Sequence, residues 1–127
     1  MKIVLEVTVL WLVLMWLLAV VSEPAESWDQ QLGEADSLSD AVNYDSAIVL
    51  GNMALKQVET QFGKSDTRVA LVLDQMGAYH YYQADYDEAE SLWKQALAIR
   101  EKAFSSEHPD VAKALHNLAS LYDDQSK

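Results

Sequence analysis

The sequence predicts an all-α protein, a short α-solenoid of antiparallel helix pairs preceded by an N-terminal apolar leader helix. Apolar residues recur at helical spacing through most of the chain that follows the leader. The same part of the chain repeats itself with a period of about 42 residues, and periods of this size are typical of stacked repeats. The chain has only four glycines and two prolines, and no segment shows the alternating pattern of a half-buried strand.

The first element, residues 1–22, is predicted to be a signal peptide. A single positive charge precedes a long apolar run, and a polar segment begins abruptly at Ser22, as in a secretory leader. Glu6 interrupts the run and leaves the 15 residues from Val7 to Val21 free of charge, whereas a full membrane span needs about 20. The alternative is an uncleaved signal anchor in which residues 3–21 cross the membrane. Under both alternatives the rest of the chain is exported, either to the periplasm or as a secreted protein.

Residues 41–127 carry the internal repeat, whereas residues 23–40 are predicted to be a linker and a degenerate first helix. Sliding the sequence against itself by one period superposes identical residues in a single register. The matched pairs include Tyr44 with Tyr86, Ala47 with Ala89, Leu50 with Leu92, Leu55 with Leu97, Phe62 with Phe104 and Val69 with Val111. Before residue 41 the register keeps only a small residue, Ala35, in line with Gly77 and Ala119.

Each repeat is predicted to be a pair of amphipathic helices, because its apolar residues fall on one helical face. The predicted stripes are Ala89, Leu92, Trp93, Ala96, Leu97 and Phe104; Val69, Leu73, Met76, Gly77 and His80; and Val111, Leu115, Leu118, Ala119 and Tyr122. Gly77 and Ala89 are small, so we expect them where the two helices of a pair approach closely.

The predicted helix starts carry residues that suit the N-cap position. Asn43 and Asp66 are favoured caps, and Asp85 with Glu88 has the spacing of a capping box. His108 aligns with Asp66 one repeat later and is followed by a proline. Proline is favoured at the first helical position and keeps the residue before it out of the α region. His108 is therefore predicted to be an N-cap.

The composition excludes several classes of function. The formal net charge of −11 disfavours nucleic acids and anionic lipid headgroups as partners, but permits basic or neutral polypeptides. The absence of cysteine means that no disulfide stabilises the exported part.

No arrangement of residues indicates catalysis or metal binding. His108 and His116 are eight residues apart, not the three or four that align two ligands on one helical face. The chain contains no HExxH, EF-hand, GxSxG or glycine-rich phosphate-binding pattern. We therefore expect no catalytic residue, no cofactor and no metal. Tyr79, Tyr81 and Tyr82 cannot all face one core, so at least one is expected to be exposed.

One helix pair places small and large apolar residues in a fixed order: Leu73, Gly77, Ala89, Leu92, Trp93 and Ala96. This pattern resembles the tetratricopeptide repeat. The length of the period and the phrases YDEAESLWKQALAIREKAF and EHPDVAKALHNLASLYDDQ are similar to one branch of that family, the kinesin-light-chain-like repeats. The similarity is close over residues 65–125, fair over 41–64 and weak over 27–40.

The resemblance implies a peptide-binding surface, because in this family the first helix of each pair lines a concave face that holds an extended peptide. The residues implied to face inward are Leu71, Asp74, Gln75, Ala78, Tyr81, Lys113, His116, Asn117 and Ser120. Asn117 is implied to hold a peptide backbone through its amide group, with Gln75 as its equivalent. Recognition of an acidic C-terminus requires several basic groups, whereas this surface offers Lys113 alone.

The function implied by the resemblance is a non-enzymatic scaffold or adaptor for a protein or peptide partner. An alternative is a fragment or accessory subunit of a larger exported or membrane-anchored enzyme or secretion complex that contains these repeats. The alternative arises because Lys127 aligns with Asp85, where the second helix of a pair would begin. Self-association could also complete the repeat stack. No nucleic-acid partner is expected, and membrane contact is expected only through an uncleaved leader.

Overall fold

The computed structural model describes residues 2–21 and 26–127, with side chains for 4–18 and 26–127. The described residues form helices and their connections, with no strand among them. The helices are α1 (Lys2–Val21), α2 (Trp28–Asp40), α3 (Tyr44–Phe62), α4 (Thr67–Tyr82), α5 (Tyr86–Ala103) and α6 (Pro109–Gln125). The all-α prediction is confirmed. The predicted leader boundary at Ser22 lies outside the described residues.

Helix α1 holds the apolar run of the predicted leader, and the side chains of residues 4–18 are all exposed. Judged on the described part of the chain, none of the helices is both long enough and apolar enough to cross a membrane.

Helices α2 to α6 pack in chain order as an α-solenoid, each against the next, and α2 also contacts α4. The first residues of α3 and α5 are separated by one period of the sequence, as are those of α4 and α6, so the sequence repeat corresponds to a structural repeat. The main core lies among α2, α3, α4 and α5, and includes Leu32, Val58, Val72, Leu73 and Leu92. A second apolar cluster, with Trp93, Leu118 and Leu121, joins α5 to α6.

The predicted N-caps are confirmed at three helices and corrected at one. Asn43, Asp66 and His108 each accept a hydrogen bond from a first-turn amide of α3, α4 and α6. The capping box predicted for Asp85 and Glu88 is wrong, because Asp85 takes the N-cap position of α5 without a side-chain cap bond. Its carboxylate instead lies 3.3 Å from Nδ1 of His80.

The predicted apolar stripe of α6 is wrong at three positions. Leu115 and Tyr122 are 50% and 44% exposed, and Ala119 is also exposed. The equivalent face of α4, which carries Leu73 and Gly77, is buried because α5 packs against it. Among the residues that the structure describes, no helix covers the same face of α6, so this helix buries the neighbouring residues Ala114 and Leu121 instead.

Two turns contain a residue with a left-handed backbone conformation, one after α2 and one after α4. The sequence predicts neither of them. Val42 and its counterpart one repeat later, Ala84, both have φ of 62°. The amides that follow them bond back to helix carbonyls, from Asn43 to Leu38 at 2.8 Å and from Asp85 to His80 at 2.9 Å. This is the arrangement in which glycine is the usual residue, and neither turn has a glycine.

We expect Val42→Gly to raise the free energy of unfolding by about 0.5–1 kcal/mol, because glycine adopts positive φ without the steric cost that a branched side chain meets there. Val42 is 71% exposed, so little packing is lost. Urea denaturation measures the effect, and Val42→Ala serves as the control because it removes the same exposed surface but keeps a Cβ. Equal stability of the two variants would show that the backbone conformation at residue 42 carries no strain.

Candidate peptide-binding groove

All nine residues that the family resemblance places on the inner face line one cavity of about 350 Å³ between α4 and α6. Five of them lie on α4 and four on α6, and Tyr82 and Trp93 complete the lining. The full set is Leu71, Asp74, Gln75, Ala78, Tyr81, Tyr82, Trp93, Lys113, His116, Asn117 and Ser120. This cavity is called the groove below. The helical spacing brings the nine residues together, while their contact with a peptide stays a prediction.

Trp93 lies in the core, as its place in the predicted stripe of α5 indicates, and it also lines the groove. Its side chain is 5% exposed, and its indole Nε1 donates a hydrogen bond to the backbone carbonyl of Asp74 at 3.0 Å. The indole lies directly against Gly77, where a Cβ would overlap its Nε1 and Cδ1. The contact confirms the close approach expected at Gly77. The signal for it in the sequence is a glycine in one helix of a pair and a tryptophan in the other.

Tyr82 is the second groove residue that is not among the nine predicted. Tyr79 is 2% exposed and Tyr82 is 61% exposed, which confirms that the three neighbouring tyrosines do not share one core. The ring of Tyr82 stacks on that of Tyr44, with centroids 5.9 Å apart, and meets that of Tyr81 edge-on at 5.6 Å. These two contacts hold an exposed aromatic ring in a fixed orientation at the edge of the groove.

A buried ion pair lies beneath the groove. Oδ2 of Asp74 is 2.5 Å from Nη2 of Arg100, and the two side chains are 7% and 6% exposed. Arg100 is in the last turn of α5, where a positive charge also complements the helix dipole. Oδ1 of Asp74 and Nη1 of Arg100 are buried and have no hydrogen-bond partner among the described residues, and the contact of Oδ2 with Arg100 is an ion pair without hydrogen-bond geometry. The pair therefore leaves buried acceptors and a buried donor without hydrogen bonds.

Two tyrosine–aspartate hydrogen bonds connect α4 to α2 on one side and to α6 on the other. Tyr79 donates to Asp36 of α2, and Tyr81 donates to Asp124 of α6. The bond to Asp124, with some burial, raises the pKa of Tyr81 to about 12, and the same bond lowers the pKa of Asp124. Tyr81 therefore stays a neutral donor and Asp124 an ionised acceptor near neutral pH, and the two bonds join α2, α4 and α6 along one face.

The three histidines do not come together in one site, since His116 lines the groove whereas His80 and His108 do not. His108 accepts a hydrogen bond at Nδ1 from the amide of Asp110, at 3.1 Å, and its ring stacks on Phe104 with centroids 3.9 Å apart. The N-cap prediction is confirmed, whereas Phe104 is half-buried in the loop rather than part of the core. His80 is half-buried in α4. Across the part of the chain that the structure describes, no group of three or more His, Cys, Asp or Glu side chains is arranged to hold a metal ion.

The architecture defines a helical-repeat protein with a groove along the first helices of its repeats. The sequence model of the tetratricopeptide repeat matches residues 31–102 and 66–127, so the chain belongs to the tetratricopeptide repeat family. Its period is that of the kinesin-light-chain-like type. Repeats of this family suggest a scaffold for protein–protein interaction.

A solved structure supports the fold assignment. The crystal structure of BtubC (BKLC) from P. vanneervenii is similar to this chain with a TM-score of 0.73 and 23% sequence identity. The similarity covers 78% of this chain and 40% of that one, so this chain spans less than half the length of its structural relative. No curated protein matched the chain by sequence.

Proposed function

We propose that the chain is a non-enzymatic interaction module that binds a polypeptide segment in the groove between α4 and α6. The observation that supports this most is the convergence of all nine residues implied by the family resemblance on one cavity of about 350 Å³. Binding surfaces of helical-repeat proteins lie on such concave faces. A cavity of about 350 Å³ is large enough for a few side chains of a peptide.

The chemistry of the groove suits an extended peptide. Gln75 on α4 and Asn117 on α6 line opposite walls, and an amide side chain can both donate to and accept from a peptide backbone. Leu71, which is 39% exposed, and Ala78 provide apolar surface between the polar groups. Lys113 is the only lysine or arginine among the lining residues, which argues against a clamp for an acidic C-terminus.

We expect Gln75→Ala and Asn117→Ala each to weaken binding of a partner captured with the full-length chain by about threefold to tenfold, the effect of losing one or two hydrogen bonds. Together the two substitutions should weaken binding further. The affinity can be measured by calorimetry or by biolayer interferometry on the purified pair. Asn52→Ala with Gln95→Ala is the matched control, because both amides are exposed and lie outside the groove. Unchanged affinity in both groove variants would place the binding site elsewhere.

A further inference from the structure

The groove continues into a second cavity that is acidic. This cavity, of about 310 Å³, lies between α2 and α4, and it shares Gln75, Ala78 and Tyr82 with the groove. Asp36 and Asp40 line it, and no lysine or arginine does. Both carboxylates lie in the last turns of α2, where the negative end of the helix dipole adds to their field. We call this space the acidic cavity.

Tyr82 stands between the groove and the acidic cavity and lines both. Its ring is 61% exposed although two other tyrosines hold it in place. A cation lying on a tyrosine face is attracted by the negative face of the ring. Asp36 and Asp40 line the acidic cavity together with this ring. The ring face and the two carboxylates therefore all attract a positively charged side chain.

Asp74 gives an independent indication that the ligand donates hydrogen bonds. Its side chain is 7% exposed and lines the groove, and its Oδ1 is buried without a partner among the described residues. Arg100 engages the other oxygen of the same carboxylate, which holds Asp74 in position. A buried acceptor without a donor carries a free-energy cost, and a ligand donor that reaches it removes that cost.

The other end of the groove has a different charge pattern, which gives the surface a direction. Leu71 and Lys113 are shared with a third cavity of about 240 Å³ that is also lined by Arg68, Arg100 and Asp110. Arg68 pairs with Asp66 and Arg100 pairs with Asp74, so the charges at this end largely balance. A positively charged side chain is therefore favoured at the α2 end of the surface over the end formed by the first turns of α4 and α6.

We propose that the polypeptide bound in the groove carries a lysine or arginine side chain that enters the acidic cavity, lies on the ring of Tyr82 and pairs with Asp36 and Asp40. A second donor of the same segment, further along the groove, binds Oδ1 of Asp74. The inference rests on the proposed function and adds the chemistry of the partner, a basic polypeptide segment. The net charge of −11 favours its approach.

The test uses two fluorescein-labelled octapeptides with the same serine and alanine framework, one with two arginines and the other with two glutamates at those positions. Binding to the full-length chain in nonionic detergent is followed by fluorescence anisotropy. We expect the arginine peptide to bind more tightly, and its affinity to fall as salt rises. Asp36→Asn with Asp40→Asn, and separately Tyr82→Leu, should each weaken its binding by about threefold to tenfold.

The matched control is Glu101→Gln with Glu107→Gln, which removes the same two charges at exposed positions outside the three cavities. Asp36→Asn keeps an acceptor for the Tyr79 hydroxyl, so the fold is retained, and far-UV circular dichroism checks this. The inference is overturned if the glutamate peptide binds as tightly as the arginine peptide. It is also overturned if the Asp36 and Asp40 substitutions change affinity no more than the control does.

The two proposals fail in distinguishable ways. If the captured partner loses affinity on Gln75→Ala and Asn117→Ala but not on the Asp36 and Asp40 substitutions, the groove binds a polypeptide, but no positively charged side chain of that polypeptide binds in the acidic cavity. If none of these substitutions changes affinity, both the groove and the basic partner are excluded.

Discussion

Asp74→Ala is expected to lower the free energy of unfolding by about 3–5 kcal/mol, because it leaves the guanidinium of Arg100 buried without its counter-charge. Both side chains are less than a tenth exposed, so the guanidinium that loses its partner remains largely shielded from bulk water. Urea denaturation of the full-length chain followed by far-UV circular dichroism measures the loss. The effect is a consequence of leaving a charge unpaired, and it is not the net contribution of the ion pair.

Two further variants test that explanation. Asp74→Leu combined with Arg100→Met should recover most of the stability, since replacing a buried pair by apolar groups of similar size is often neutral. Lys94→Ala, which breaks the exposed pair with Glu90 at 2.5 Å, should cost less than about 1 kcal/mol. A loss on Asp74→Ala no greater than that on Lys94→Ala would show that Arg100 finds other solvation when its partner is removed.

The features that could be predicted from the sequence are those set by local spacing. The N-caps at Asn43, Asp66 and His108 follow from the residues at a helix start. The groove residues are implied by the family resemblance, which assigns the concave face to the first helix of each pair, and the helical period puts positions three and four apart on that face. The caps can be predicted within one helix, whereas the groove residues also need the known geometry of the family.

The features that could not be predicted depend on where one helix lies relative to another. The pair of Asp74 with Arg100 and the bond of Tyr81 with Asp124 join residues on different helices, and charge patterns along one helix give no sign of them. The exposure of Leu115 depends on whether another helix covers α6, not on its own hydropathy. The positive φ of Val42 is imposed by the turn geometry, although valine disfavours this conformation.

Gly77→Ala is expected to destabilise the protein by about 1–3 kcal/mol through overpacking, although the same change in a helix interior ordinarily stabilises by about 0.5–1 kcal/mol. The added Cβ would overlap Nε1 and Cδ1 of the Trp93 indole and lie 3.0 Å from its Cε2. Trp93 is 5% exposed and is held by its hydrogen bond to the carbonyl of Asp74. The indole therefore has to give up that bond, or α4 and α5 have to move apart.

Gly33 provides the matched control, because it also lies inside a helix but nothing is within 4 Å of a Cβ built on it. Gly33→Ala should raise the thermal midpoint, whereas Gly77→Ala should lower it. Combining Gly77→Ala with Trp93→Leu tests the contact itself, since the penalty of the alanine should largely disappear once the smaller side chain leaves space for the Cβ. If Gly77→Ala raised the midpoint as Gly33→Ala does, the close packing of α4 on the Trp93 indole would be wrong, and with it the position of Trp93 in the groove.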